Sequence, residues 1–117
     1  MKIDNLLSAG ACVYGNFTFS GGLWVDADVE GGLTSSGSAR SLLVIGEDGL
    51  VRGNIEADEV VVFGGVDGCI RARKVSIHKN ARLSGGSIVC EKATIEEGAI
   101  VTSELRKVGA LIPVRAV

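Results

Sequence analysis

The chain has 117 residues, 46% hydrophobic and 22% charged, with a formal net charge of −2. That length suits one domain, the apolar share is too high for disorder, and the charge lacks the basic stripe that nucleic acid demands. With 17 glycines, one proline and about a fifth of its residues Val or Ile, the chain is neither a helical bundle nor collagen, but short β-strands broken at glycine.

Residues 1–12 are fairly apolar, with Ile3, Leu6 and Leu7 forming a short patch. Lys2 is followed by Asp4, and no sustained apolar core develops, so no secretory signal is expected. No window of about 18 apolar residues exists anywhere, so no span crosses a membrane as a helix.

From Val13 onward one pattern recurs: apolar, any residue, Gly, any residue, apolar. Its copies are Val13–Phe17, Val29–Leu33, Val51–Ile55 and Val66–Ile70. Leu83–Ile88 is a copy with one residue added, and Val101–Leu105 carries Ser for Gly. The starts are spaced about 18 residues apart on average. A second pattern interleaves: Ile55–Val60, Ile70–Val75 and Ile88–Ala93 match one another. Alternating apolar triplets follow, at Leu23–Val25, Leu42–Val44, Val60–Val62, Val75–Ile77 and Ala93–Ile95.

Three short strands per repeat and a period near 18 predict an all-β fold. It is a single-stranded parallel β-helix, a triangular solenoid of about six coils. Columns of like residues should run inside, among them Val60, Val62, Val66, Ile70, Ala72, Val75, Ile77, Leu83, Ile88 and Cys90. The implied register sets Glu56 beside Arg71, Asp58 beside Arg73, Arg73 beside Glu91 and Glu59 beside Lys74, but also Lys74 beside Lys92. Residues 34–41, small and polar, read as a tolerated loop bulging from one corner.

The organisation expected is 1–12 as an N-terminal cap or short membrane or assembly segment, 13–105 as the β-helix domain, and 106–117 as an apolar C-terminal tail or end-contact segment. A solenoid's terminal coils leave apolar columns and strand edges that need a cap or a partner. Val13 and Phe17 at one end, with Val101, Leu105, Leu111 and Ile112 at the other, are therefore the candidates for self-association. Ile3, Leu6 and Leu7 either cover the first coil at Val13 and Phe17 or touch a membrane, and the first role is favoured because the only nearby cation, Lys2, is opposed by Asp4.

Chemistry is sparse. Cys12, Cys69 and Cys90 are odd in number, widely spaced and without a CxxC, so they read as reduced thiols in a cytoplasmic protein. Cys90 falls in an inward column, and Cys69 should point outward. His78, the single histidine, lies outside the alternation of Val75 and Ile77, so it points outward or sits at a corner and reads as a surface residue. No triad, zinc cluster or phosphate loop is present in the pattern, and no cofactor or metal is expected. Asp26, Asp28 and Glu30 read as an alternating solubilising edge.

The segments Phe19–Leu23, Val25–Gly31 and Val44–Glu59 resemble the bactofilin family of polymer-forming bacterial cytoskeletal proteins, over about residues 13–105. The resemblance implies a right-handed β-helix that assembles end to end into filaments. It also implies a non-enzymatic scaffold, often membrane-associated, that positions cell-wall or morphogenesis proteins. Partners would then be other copies of the chain, those proteins, and peripherally the inner membrane. Family members commonly carry proline-rich tails and a Phe in the last coils, whereas here Pro113 is the one proline and residues 64–117 lack Phe. Two alternatives stand beside this reading. Stepping by six from Ile45 gives an almost wholly apolar series, as in left-handed hexapeptide-repeat acyltransferases, though only His78 could serve as their base. A non-polymerising adaptor with an open edge strand is the other.

Overall fold

The computed structural model describes residues 5–7, 10, 12–35, 41–102 and 104–107, with only the backbone of Asn5 and Lys107. The strands follow one another in threes. Coil one holds β1 (Asn5–Leu7), β2 (Cys12–Tyr14) and β3 (Phe17–Phe19); coil two holds β4 (Gly22–Val25), β5 (Asp28–Glu30) and β6 (Leu33–Ser35). Coil three holds β7 (Leu42–Ile45), β8 (Leu50–Arg52) and β9 (Ile55–Glu56); coil four holds β10 (Glu59–Val62), β11 (Gly65–Asp67) and β12 (Ile70–Arg71). Coil five holds β13 (Lys74–Ile77), β14 (Arg82–Ser84) and β15 (Ser87–Cys90); coil six holds β16 (Lys92–Ile95), β17 (Ile100–Val101) and β18 (Glu104–Lys107).

Each third strand stacks on the one before, giving three parallel six-stranded sheets. Sheet A runs β1-β4-β7-β10-β13-β16, sheet B runs from β2 to β17, and sheet C from β3 to β18. The chain is thus an all-β parallel solenoid, with five steps between the first and last strand of each face.

The repeat read from sequence is the register. Val13, Val29, Val51, Val66, Leu83 and Val101 form one continuous column in sheet B. Phe17, Leu33, Ile55, Ile70, Ile88 and Leu105 form the matching column in sheet C. All ten inward residues named above are buried. The third segment needs a correction of one residue: Leu43, not Leu42, stacks on Leu23 and Val60. Leu43 and Ile45 are fully buried, and Leu42 faces out. A slip of one residue exchanges the two faces of a strand, so burial decides the register.

The hexapeptide series tracks the interior only in part: Ile45, Val51, Ala57, Val75 and Ala81 are buried. Cys69 is exposed, and Phe63 stacks on His78 at a corner. Coil length varies at that corner. Four-residue turns close at Gly46–Gly49, His78–Ala81 and Glu96–Ala99, while β10 and β11 are joined by two residues only.

The charge ladder falls as expected. Glu56 pairs with Arg71 and Glu59 with Lys74 in register, Arg73 lies 3.9 Å from Glu91, and Lys74 is set beside Lys92. Such exposed pairs contribute only tenths of a kcal/mol, so the apolar columns carry the fold. Of the 34–41 segment, Thr34 and Ser35 belong to β6 and residues 36–40 lie outside the described residues. Ser41 is buried and exchanges two 3.0 Å hydrogen bonds with Asp58: its amide donates to Oδ2, and its hydroxyl accepts from the Asp58 amide. Asp26 sits in the corner between β4 and β5, so it does not share a strand with Asp28 and Glu30.

Between sheets B and C the coils approach too closely for side chains. Gly31, Gly53 and Gly68 have φ of 138°, 148° and 149°, and a Cβ on each would overlap the carbonyl oxygen of the glycine one coil earlier. Gly15, first in that column, has φ of 117° with nothing within 4 Å of its missing Cβ. The two positions separate strain from collision. Gly53→Ala should lose about 2 kcal/mol or more, lowering Tm by roughly 8 °C or more, and Gly15→Ala about half that, as read by thermal melts.

Candidate functional site at the two ends of the solenoid

A coil buries its interior only against coils above and below, so the ends differ from the middle by construction. In sheet C, Leu33 and Ile88 are fully buried, whereas Leu105 at the end of the same column is 36% exposed. In sheet A, Val25, Ile45, Val62 and Ile77 are buried, and Ile95, next in line, is 45% exposed. Val13 and Phe17 open the columns of sheets B and C, and Val101 closes that of sheet B. All three are half-buried and pack on the core from its margin. Among the described residues, each terminal strand also has a neighbouring strand on one side only.

The structure therefore brings Val13 and Phe17 together on the first coil, and Val101 and Leu105 together on the last. Leu111, Ile112 and Ile3 lie outside the described residues. Leu6 and Leu7 face opposite sides of β1: Leu7 packs inward in line with Val25, and Leu6 is 61% exposed on the outer surface. Leu7 joins Phe17, Phe19 and Leu23 around a concavity at the mouth of the first coil. Sequence reasoning passed over Ile95 and Ile100, which are exposed on coil six. Ile95 was within reach, because it continues the Ile77 column.

His78 sits at the corner after β13 with its side chain partly exposed. Its ring stacks on Phe63 at 4.3 Å between centroids, and its Nδ1 lies 2.6 Å from Glu96 Oε1. The same oxygen accepts the Lys79 amide at 3.2 Å. These contacts tie the corner of coil six to that of coil five. The Lys79 amide first, then His78, hold the Glu96 carboxyl below its ordinary range. Among the described residues no group of three or more His, Cys, Asp or Glu is placed to hold a metal. No helix among them is long and apolar enough to cross a membrane.

The comparisons with known proteins agree with this geometry. The family model for bactofilin, described as polymer-forming cytoskeletal, matches residues 5–106. The chain belongs to the bactofilin family. A search of the curated proteins returned no match. Among solved structures, the chain is similar to Thermus thermophilus bactofilin, solved by cryo-electron microscopy as double helical filaments. That match has 24% identity and a TM-score of 0.77, and covers 89% of this chain and 99% of the other. It is also similar to the cytoskeletal bactofilin BacA, solved by solid-state NMR, at 32% identity and a TM-score of 0.75, covering 88% and 94%. Bactofilins are structural polymers.

The Glu96 contacts give a pH prediction with a definite sign. A carboxyl held below its ordinary value adds stability above that value and loses it as pH falls through the lowered one. Glu96→Gln should therefore melt below the parent chain at neutral pH, and the difference should close as pH is taken down through the carboxylate range. A constant difference across that range would assign the effect to packing.

Proposed function

We propose that this bactofilin polymerises by stacking its solenoid ends, and that the filament serves as a cytoplasmic scaffold for cell-envelope or morphogenesis proteins. One observation carries the reading. Among the described residues, those of a single column are sealed in the middle coils and open at both ends, so the open side chains are apolar because the column is apolar. A second solenoid set on either end would continue the column and pair the free strand side. Fully burying one Leu, Ile, Val or Phe contributes about 1.5–3 kcal/mol, against an association cost on the order of 4–15 kcal/mol. No single residue suffices. Phe17, Val13 and Leu7 at one end, and Ile95, Val101 and Leu105 at the other, together reach the required scale.

The chain acts without catalysis in this reading, because His78 is held by Glu96 and Phe63 as part of a corner. Membrane contact, where it occurs, runs through Leu6, which faces outward, and not through Leu7.

Leu105→Lys and Phe17→Lys should each shift the chain from filaments to short oligomers or monomers in negative-stain electron microscopy and size-exclusion chromatography. Their melting curves should stay close to the parent's, since neither side chain is fully buried. Filaments of unchanged length in both variants would place the contact elsewhere.

A further inference from the structure

Coil six is docked differently from the coils before it. In coils two to five every sheet contributes a buried inward side chain, such as Leu43, Val66 or Ile88. Among the described residues of coil six none is buried. Its inward position on sheet A is Ala93, where the earlier coils place Leu23, Leu43, Val60 and Val75. Less apolar area leaves water at this step, so each remaining contact weighs more.

The shortest of those contacts lies at the corner between sheets A and B. Coil four turns that corner with two residues, Phe63 and Gly64, whereas coil five uses four, His78–Ala81. The longer turn brings the His78 ring onto Phe63, with centroids 4.3 Å apart and planes at 15°. Packed in this way, His78 donates from Nδ1 to Glu96 Oε1 on coil six at 2.6 Å. The same oxygen accepts the Lys79 amide, and the Lys79 stem covers Gly98, where an added Cβ would lie 3.1 Å from its Cγ. Phe63, His78 and Glu96 thus make a strut of ring, ring and carboxylate through three successive coils. Short hydrogen bonds to a charged group are the strong kind. Elsewhere coils five and six are joined by longer side-chain contacts, at 3.2 Å from the Thr102 hydroxyl to the Leu83 carbonyl and 3.9 Å from Arg73 to Glu91.

The strut ends beside the stacking surface. Glu96 directly follows Ile95, and the turn that it opens closes at Ala99 and leads into Ile100 and Val101.

We propose that His78 is a positioning residue for polymerisation: through Glu96 it holds coil six against coil five, in the arrangement that presents Ile95, Val101 and Leu105 to the next chain. The inference rests on the end-stacking reading. Without the strut the last coil opens locally, while coils two to five keep their buried columns. An opened coil is not competent to stack, so the concentration needed for filament growth rises as the competent fraction falls.

The test measures the critical concentration for filament formation of the full chain by sedimentation, with backbone hydrogen exchange on dispersed subunits. His78→Ala should raise the critical concentration by about fivefold, the scale of one charge-assisted hydrogen bond. Exchange should quicken in β16–β18 and stay as in the parent in β7–β12. His78→Asn, whose amide nitrogen takes the place of Nδ1, should recover part of the loss. Phe63→Leu, which removes the ring beneath His78, should move both readouts the same way to a smaller extent. Asp48→Asn, on the exposed corner of coil three, should move neither. Adding His78→Ala to Glu96→Ala should raise the critical concentration little further, because the two side chains act as one contact.

An unchanged critical concentration in His78→Ala overturns the inference, and so does a loss that His78→Asn does not recover at all. Exchange quickened through the whole chain would make His78 a general stabiliser and also overturns it, as would independent, additive losses in the double variant. If Leu105→Lys and Phe17→Lys block filaments while His78→Ala leaves the critical concentration unchanged, end stacking stands and the positioning role falls.

Discussion

Every feature of this molecule depends on one constraint: a coil of three short strands cannot bury its own interior. Only the coil above and the coil below can do so, and only if like positions lie over like positions. The ladder from Val13 to Val101 and that from Phe17 to Leu105 meet this condition at every step. The glycine column meets it from the backbone side, because a Cβ at Gly31, Gly53 or Gly68 would overlap the preceding coil's carbonyl. Coil spacing is thereby fixed near the strand separation of about 4.8 Å. Variation in coil length is confined to corners and to the segment between Ser35 and Ser41.

The same constraint makes the ends reactive. Ile88 lies between Ile70 and Leu105 and is fully buried, whereas Leu105, on the last described strand of the same column, is 36% exposed. Globular folds hide their sheet edges by closure, charge or covering helices. Here, among the described residues, the terminal strands of all three sheets have one neighbour each, and the interior columns emerge beside them. In the reading proposed above, polymerisation extends the fold from one chain to the next through these open ends.

Much of this was legible in the residues because glycine punctuates the repeat. The Gly at the centre of each apolar-Gly-apolar unit gave the phase of sheets B and C without reference to length. Sheet A was harder at coil three. Leu42, Leu43, Val44 and Ile45 form an unbroken apolar run, and no alternation shows which of them point inward. Stacking on Leu23 and Val60 settles it. The opposite directions of Leu6 and Leu7 were within reach of a period of two, once β1 is recognised as a strand. The corner at Phe63, His78 and Glu96 was not legible. His78 and Glu96 are 18 residues apart, and the coil lengths on either side differ. Only the closed turns bring the ring, the carboxylate and the Lys79 amide into contact. Asp26 was misplaced for a related reason: a corner interrupts what looks in sequence like one alternating strand.

Backbone hydrogen exchange, compared between dispersed subunits and assembled filaments, tests the central claim most directly. Side-chain contacts on the outer faces leave amide protection unchanged, because those strands are already paired on both sides. Stacking through the ends does change it. The account predicts that assembly raises protection in β1–β3 and β16–β18 while leaving β7–β12 as they were. Protection gained in the middle coils, with the terminal strands still exchanging freely, would contradict it.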